Sequence, residues 1–173
     1  MGRPGAGKPL KGVRPTTSKT LEALLAILAP DLPDARAMDL FAGTGQVGIG
    51  FLEAGAASVT FVEGAPPVAR ALQQRLAGVK GEWSLNKGQL PQALAGLSGP
   101  FDLFWADPPY DWRDWSRLLP EAARLASPGA LLVVEHHHKT PYAAVDGWEL
   151  YREKKFGETR LSFFRFVGEA KDA

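Results

Sequence analysis

Met38-Asp39-Leu40-Phe41-Ala42-Gly43-Thr44-Gly45-Gln46-Val47-Gly48 leads from an apolar run through a glycine-rich turn into a second apolar-periodic run. Gly43, Gly45 and Gly48 stand in GxGxxG spacing, and Glu63 follows Gly43 by twenty positions. Glycines there permit a tight turn and a close backbone approach to a ligand, and an acid ending the next strand can accept from both hydroxyls of a ribose. The stretch therefore predicts a strand over 37–41, a helix over 47–54, a strand over 58–62 and a nucleoside-containing cofactor. A purely structural strand-to-helix turn is the plainer alternative. Asp39, just before the turn, would repel the pyrophosphate of a dinucleotide and favours a cationic or amine-bearing ligand.

The same alternation continues on both sides. Thr16-Thr17-Ser18 offers an N-cap for a helix over 19–28, which Pro30 and Pro33 close. Pro66 and Pro67 open a helix over 66–76. Then come a weak strand over 82–85, a short helix over 89–97 and a strand over 101–106. A helix over 111–126 ends at Ser127-Pro128-Gly129, and a strand over 130–135 follows. Segments 148–155 and 160–167 read as a hairpin turning at Phe156-Gly157-Glu158. Repeated strand–helix pairs specify an α/β fold, a doubly wound and mostly parallel sheet, here with a C-terminal antiparallel hairpin. The expected organisation is a basic N-terminal arm over 1–20, one domain over 21–167 and a tail over 168–173.

The 173 residues carry a net charge of +1 and no cysteine. That composition excludes a disulfide scaffold, a thiolate zinc site and a cysteine nucleophile, and it fits a reducing, cytoplasmic setting. No apolar run reaches the roughly 18 residues of a membrane span, and no signal-peptide core opens the chain, so no membrane partner is expected. Arg3, Lys8, Lys11, Arg14 and Lys19 all precede the first acidic residue, Glu22. Such an arm either reaches a phosphate backbone or is a solvated tail.

A second motif, Asp107-Pro108-Pro109-Tyr110, follows the 101–106 strand directly. One proline suffices to end a strand; two after an aspartate have a chemical reading. The lone pair of an exocyclic amine on a nucleobase is delocalised into the ring. The Asp107 carboxylate and the Pro108 carbonyl can accept its two N–H groups and favour a pyramidal nitrogen aimed at a methyl group, and the prolines preorganise these acceptors. Tyr110 supplies a face on which an unstacked base can lie.

Asp39-Leu40-Phe41-Ala42-Gly43-Thr44-Gly45 resembles motif I of the class I S-adenosylmethionine-dependent methyltransferases, and Asp107-Pro108-Pro109-Tyr110 resembles the motif of those that methylate amino groups. Together with Arg14-Pro15-Thr16-Thr17 before the first helix and a closing hairpin with Gly157 and Thr159, the chain from 14 to 167 resembles the RsmD family, bacterial enzymes that methylate a guanine N2 in small-subunit ribosomal RNA. The resemblance implies S-adenosyl-L-methionine held by Asp39, Phe41, Ala42, Gly43, Gly45, Glu63 and Gln89. Gln89 stands where the family carries an acidic residue for the adenine amine, and an amide oxygen accepts that bond more weakly. Asp107, Pro108, Pro109 and Tyr110 become the catalytic group. Lys8, Lys11, Arg14, Thr16, Trp112 and Arg113 become the contacts to ribosomal RNA or the small-subunit particle. A monomer without metal is expected.

Three competing readings remain at this level. Adenine N6 in DNA or RNA would use the same tetrapeptide, a non-catalytic cofactor-binding module would bind nucleic acid only, and a nicotinamide oxidoreductase would use the same glycine loop. His136-His137-His138 invites a metal, but neighbours on a strand point to alternate faces, so a partly exposed strand end is the plainer reading. Of Trp112 and Trp115, at least one is expected in the core.

Overall fold

The computed structural model describes residues 16–137 and 147–168. Arg3, Lys8, Lys11, Arg14, His138 and Lys139 lie outside the described residues.

Thr17 caps the first helix, α1 (Ser18–Leu28), its hydroxyl oxygen accepting from the Thr20 amide. The elements that follow are β1 (Arg36–Leu40), α2 (Gln46–Glu53), β2 (Ser58–Val62), α3 (Pro66–Leu76) and β3 (Glu82–Asn86). After a single 3-10 turn (Gln92–Leu94) come β4 (Phe101–Ala106), α4 (Trp115–Leu125), β5 (Ala126–His137), β6 (Trp148–Phe156) and β7 (Thr159–Phe166). The seven strands form one sheet in the order β3-β2-β1-β4-β5-β7-β6. Every pair from β3 to β5 is parallel, and β7 runs antiparallel to both β5 and β6. This is the doubly wound sheet with a terminal hairpin that the sequence specifies.

Side-chain alternation along the strands feeds two cores. Leu103, Trp105, Leu131 and Val133 pack with Leu24 and Leu28 of α1, Phe51 of α2 and Leu72 of α3. Phe104, Ala106, Leu132 and Val134 pack on the other face with Leu118, Leu119 and Ala122 of α4. A strand covered on both faces reads as a continuous apolar run, which is why Phe101–Ala106 is legible without periodicity.

Two helices depart from expectation. The helix over 89–97 is only the Gln92–Leu94 turn, because Pro91 removes an amide donor and Gly88 and Gly96 flank the segment. Arg124 of α4 holds it, donating to the carbonyls of Leu94 at 2.7 Å and Leu97 at 3.1 Å. The helix over 111–126 begins only at Trp115, since Pro109 to Trp112 form a turn that the Trp112 amide closes on the Pro109 carbonyl at 3.0 Å. At its other end Ser127-Pro128-Gly129 is already part of β5, where Ala126 pairs with Phe101 across an irregular register. The Ser127 hydroxyl donates to Asp102 Oδ1 at 2.7 Å, which favours strand pairing over a free turn there.

Candidate active site

Parallel register brings the two motifs together. Leu40 of β1 lies opposite Ala106 of β4, so the glycine turn and the Asp107 loop leave the same edge of the sheet as neighbours. Ala106 in turn lies opposite Val134 of β5, which sets Glu135 beside Asp107. Open α/β sheets bind ligands at this carboxyl edge.

The turn after β1 is built from left-handed residues, with φ of 56° at Phe41, 57° at Gly43 and 76° at Gly45. Such a conformation costs a non-glycine residue about 1–2 kcal/mol. The Phe41 ring meets that of Trp112 edge-on, with centroids 4.8 Å apart, which braces it. Gly48 is required by close approach, since a Cβ there would sit 2.4 Å from the Phe61 ring. Its amide donates to Asp39 Oδ2 at 3.0 Å. Asp39 is buried, and its Oδ1 has no hydrogen-bond partner among the described residues. Burial pushes its carboxyl well above the usual range; the Gly48 amide opposes this and the charge of Glu63 adds to it.

Glu63 fastens two loops. Its Oε1 accepts from the Gly43 amide at 2.8 Å and its Oε2 from the Ala65 amide at 2.9 Å. A carboxylate has about four acceptor sites, so each oxygen keeps capacity for a ribose hydroxyl. Gln89 donates from Nε2 to the Gly64 carbonyl at 2.8 Å and keeps Oε1 as its acceptor. A Cβ at 64 would meet the Gln89 carboxamide at 2.7 Å and displace it from the Gly64 carbonyl. The charge of this rim can be tested against a ligand class. Glu63 acts electrostatically on Asp39 and Asp39 on Asp107, which is unfavourable for a phosphate and suits a cation.

Asp107 is pushed up to about 8, first by burial, then by the charges of Glu135 and Asp39 and by a hydrogen bond to Glu135. Glu135 is raised by burial as well, while hydrogen bonds from Thr16 and Asp107 draw it down. The two carboxyl groups therefore form one interacting pair, each raised by burial, a feature that the sequence reading of Asp107 as an isolated carboxylate did not contain. Thr16 donates from Oγ1 to Glu135 Oε2 at 3.0 Å and is buried, which places it within the site.

Pro108, Pro109, Tyr110, Trp112, Trp115, Glu135 and His136 line a cavity beside the Asp107 loop. Tyr110 is 80% exposed, so its ring is available for stacking. Arg113 donates from Nη1 to the carbonyls of Tyr110 at 3.3 Å and Trp112 at 3.0 Å and so clamps the loop. Trp112 is half-buried, and its Nε1 has no acceptor among the described residues. His136 hydrogen-bonds through Nε2 to Ser162 Oγ at 2.8 Å and through Nδ1 to the His137 carbonyl at 2.9 Å. Among the described residues no group of His, Cys, Asp or Glu side chains is arranged to hold a metal ion. Glu135 is the residue that sequence reasoning missed. Its signal was an acid at the end of the strand beside β4.

Residues 2–165 match the family model described as conserved hypothetical protein 95. The chain is 31% identical over 159 residues to the ribosomal RNA small subunit methyltransferase D of Escherichia coli K12, covering 89% of this chain and 80% of that protein. It is 30% identical over 158 residues to the protein of the same name from Haemophilus influenzae, covering 85% and 80% respectively. A solved Escherichia coli structure described as a candidate methyltransferase superposes with a TM-score of 0.81 at 27% identity, over 93% of this chain and 92% of that one. With both motifs on one sheet edge and relatives matched along most of their own length, this chain belongs to the RsmD family of ribosomal RNA small subunit methyltransferases.

Proposed function

We propose that this protein moves the methyl group of S-adenosyl-L-methionine onto the exocyclic N2 amine of a guanine in small-subunit ribosomal RNA. The observation that carries the reading is the Leu40–Ala106 register, which sets a cofactor-type glycine turn against an amine-holding Asp-Pro-Pro-Tyr loop. The neighbouring carboxyl groups of Asp39 and Glu63 fit a cofactor that bears a sulfonium and an amino group and no phosphate. When bound, that cofactor supplies an electrophilic methyl carbon. The cofactor-holding residues are Asp39, Phe41, Ala42, Gly43, Gly45, Glu63 and Gln89.

Asp107 and the Pro108 carbonyl take the two N–H groups of the amine and turn its lone pair out of conjugation. Preorganised acceptors of this kind typically contribute a few kcal/mol to lowering a barrier. The base lies against the exposed ring of Tyr110, whose backbone carbonyl accepts from Arg113. Asp107 need not take a proton before transfer, because the methylated ammonium-like product is acidic, and the Asp107–Glu135 pair lies next to it as the proton acceptor. Lys8, Lys11 and Arg14, with Trp112 and Arg113, are proposed to meet the RNA. A cytoplasmic monomer fits this role.

Nucleoside mass mapping of ribosomal RNA from a strain lacking the gene tests the proposal. One N2-methylguanosine should disappear and return with the wild-type gene. Unchanged ribosomal RNA together with a missing N6-methyladenine would transfer the assignment to adenine.

A further inference from the structure

Glu135 belongs to β5, outside both motifs, yet it lines the cavity that Pro108, Pro109 and Tyr110 form for the base. Its position is fixed twice. The Val134–Ala106 register holds it beside Asp107, and the Thr16 hydroxyl binds its Oε2 at 3.0 Å. One bond to Thr16 and one to Asp107 use two of the roughly four acceptor sites of a carboxylate, so two remain for a ligand. A second carboxyl in direct hydrogen bond with the first makes a pair of neighbouring acceptors, more than an amine alone requires.

The bases differ in what adjoins their amine. In guanine the N2 amine is flanked on the Watson–Crick edge by N1–H, a donor. In adenine and cytosine the ring nitrogen in the corresponding place is an acceptor. An acceptor aligned with another buried acceptor leaves both unsatisfied, which sites of this kind reject strongly. We propose that Glu135 is the specificity-determining residue of this site, accepting the guanine N1–H while Asp107 and the Pro108 carbonyl hold the N2 amine. This rests on the guanine reading above and deepens it: the Asp-Pro-Pro-Tyr loop selects an amine, and Glu135 selects the base that carries it. Thr16 is then a positioning residue for the acceptor, with a role at the base.

The experiment uses small-subunit RNA carrying either guanine or 2-aminopurine at the methylated position. 2-Aminopurine keeps the 2-amine but has an unprotonated N1. Initial rates are compared for the wild-type protein and Glu135→Gln, an isosteric change whose carboxamide oxygen can still accept from Thr16 and whose NH2 can donate to an acceptor N1. The wild type should prefer guanine by roughly 10- to 100-fold, the worth of one hydrogen bond to a charged group. Glu135→Gln should lose most of the guanine rate and shift the ratio toward 2-aminopurine by about tenfold or more. Equal slowing on both substrates, or a wild type indifferent to N1, overturns the role of Glu135 and leaves the guanine assignment standing. A wild type that methylates neither RNA, with activity instead on an adenine amine, overturns both.

Discussion

Asp107 joins two demands that conflict in an isolated carboxylate. In the proposed role it accepts from an amine, yet it is half-buried beside Glu135, and burial pushes its carboxyl up to about 8. Either protonation state leaves an oxygen able to accept from the proposed amine. Asp107→Ala removes the acceptor but none of the residues proposed to hold the cofactor. Turnover should fall by about 100-fold or more, while cofactor affinity by calorimetry stays within about threefold, a small effect on this scale. Loss of binding by a folded variant would reassign Asp107 to the cofactor. At Tyr110 the proposed stacking needs the ring and not the hydroxyl. Tyr110→Phe should therefore stay within about threefold of wild type, and Tyr110→Ala should lose about 1–3 kcal/mol of base stacking, read as a raised KM for RNA.

At the scale of elements, the segment before α1 is joined to the C-terminal part of β5 by the Thr16–Glu135 bond, across 119 positions of sequence. The bond pulls the Glu135 pKa down against burial. Thr16→Val keeps the shape and removes the donor. Glu135 should then titrate at higher pH, so the acid limb of the kcat profile moves upward. Global stability should fall by only about 1 kcal/mol. A lowered rate with an unmoved profile would mean that Thr16 serves packing alone. The β6–β7 hairpin supports the same edge from the other side, since β7 pairs with β5 as far as His137–Thr159.

At the scale of the whole molecule, three carboxyl groups at one end of the sheet, Asp39, Asp107 and Glu135, are raised together by burial. A raised carboxyl pKa means that the folded state binds more protons than the unfolded chain, in which Asp and Glu titrate near about 4. This contribution to stability is complete below that value and is lost as pH rises toward about 8, the folded value of Asp107. The melting temperature of the ligand-free protein should therefore decline between pH 6 and 8.5, and Asp107→Asn, which cannot ionise, should flatten the decline. Added S-adenosylmethionine, a cation at the same edge, should raise the melting temperature more at pH 8.5 than at pH 6. Identical shifts at both values would show that the acidic rim does not engage the cofactor.

The sequence by itself determined the layered architecture, because a glycine turn, an acid-ended strand and two-sided apolar runs such as Phe101–Ala106 are local signals with local causes. It also determined the chemistry-bearing motifs, since Asp107-Pro108-Pro109-Tyr110 is contiguous and its reading needs no partner. Gln89 was legible only through a family pattern, and its donor contact with Gly64 required the fold. Helix limits at Gln92–Leu94 and Trp115 were set by proline and by turn closure competing with helix propensity, a balance that short segments do not display. Only the tertiary structure decided that Glu135 belongs to the site, and that Thr16, expected from the sequence as an RNA contact, bonds to it. Strand register is a relation between segments far apart in the chain, and no residue carries it alone. The half-buried Asp107–Glu135 pair therefore exists only once β1, β4 and β5 are side by side.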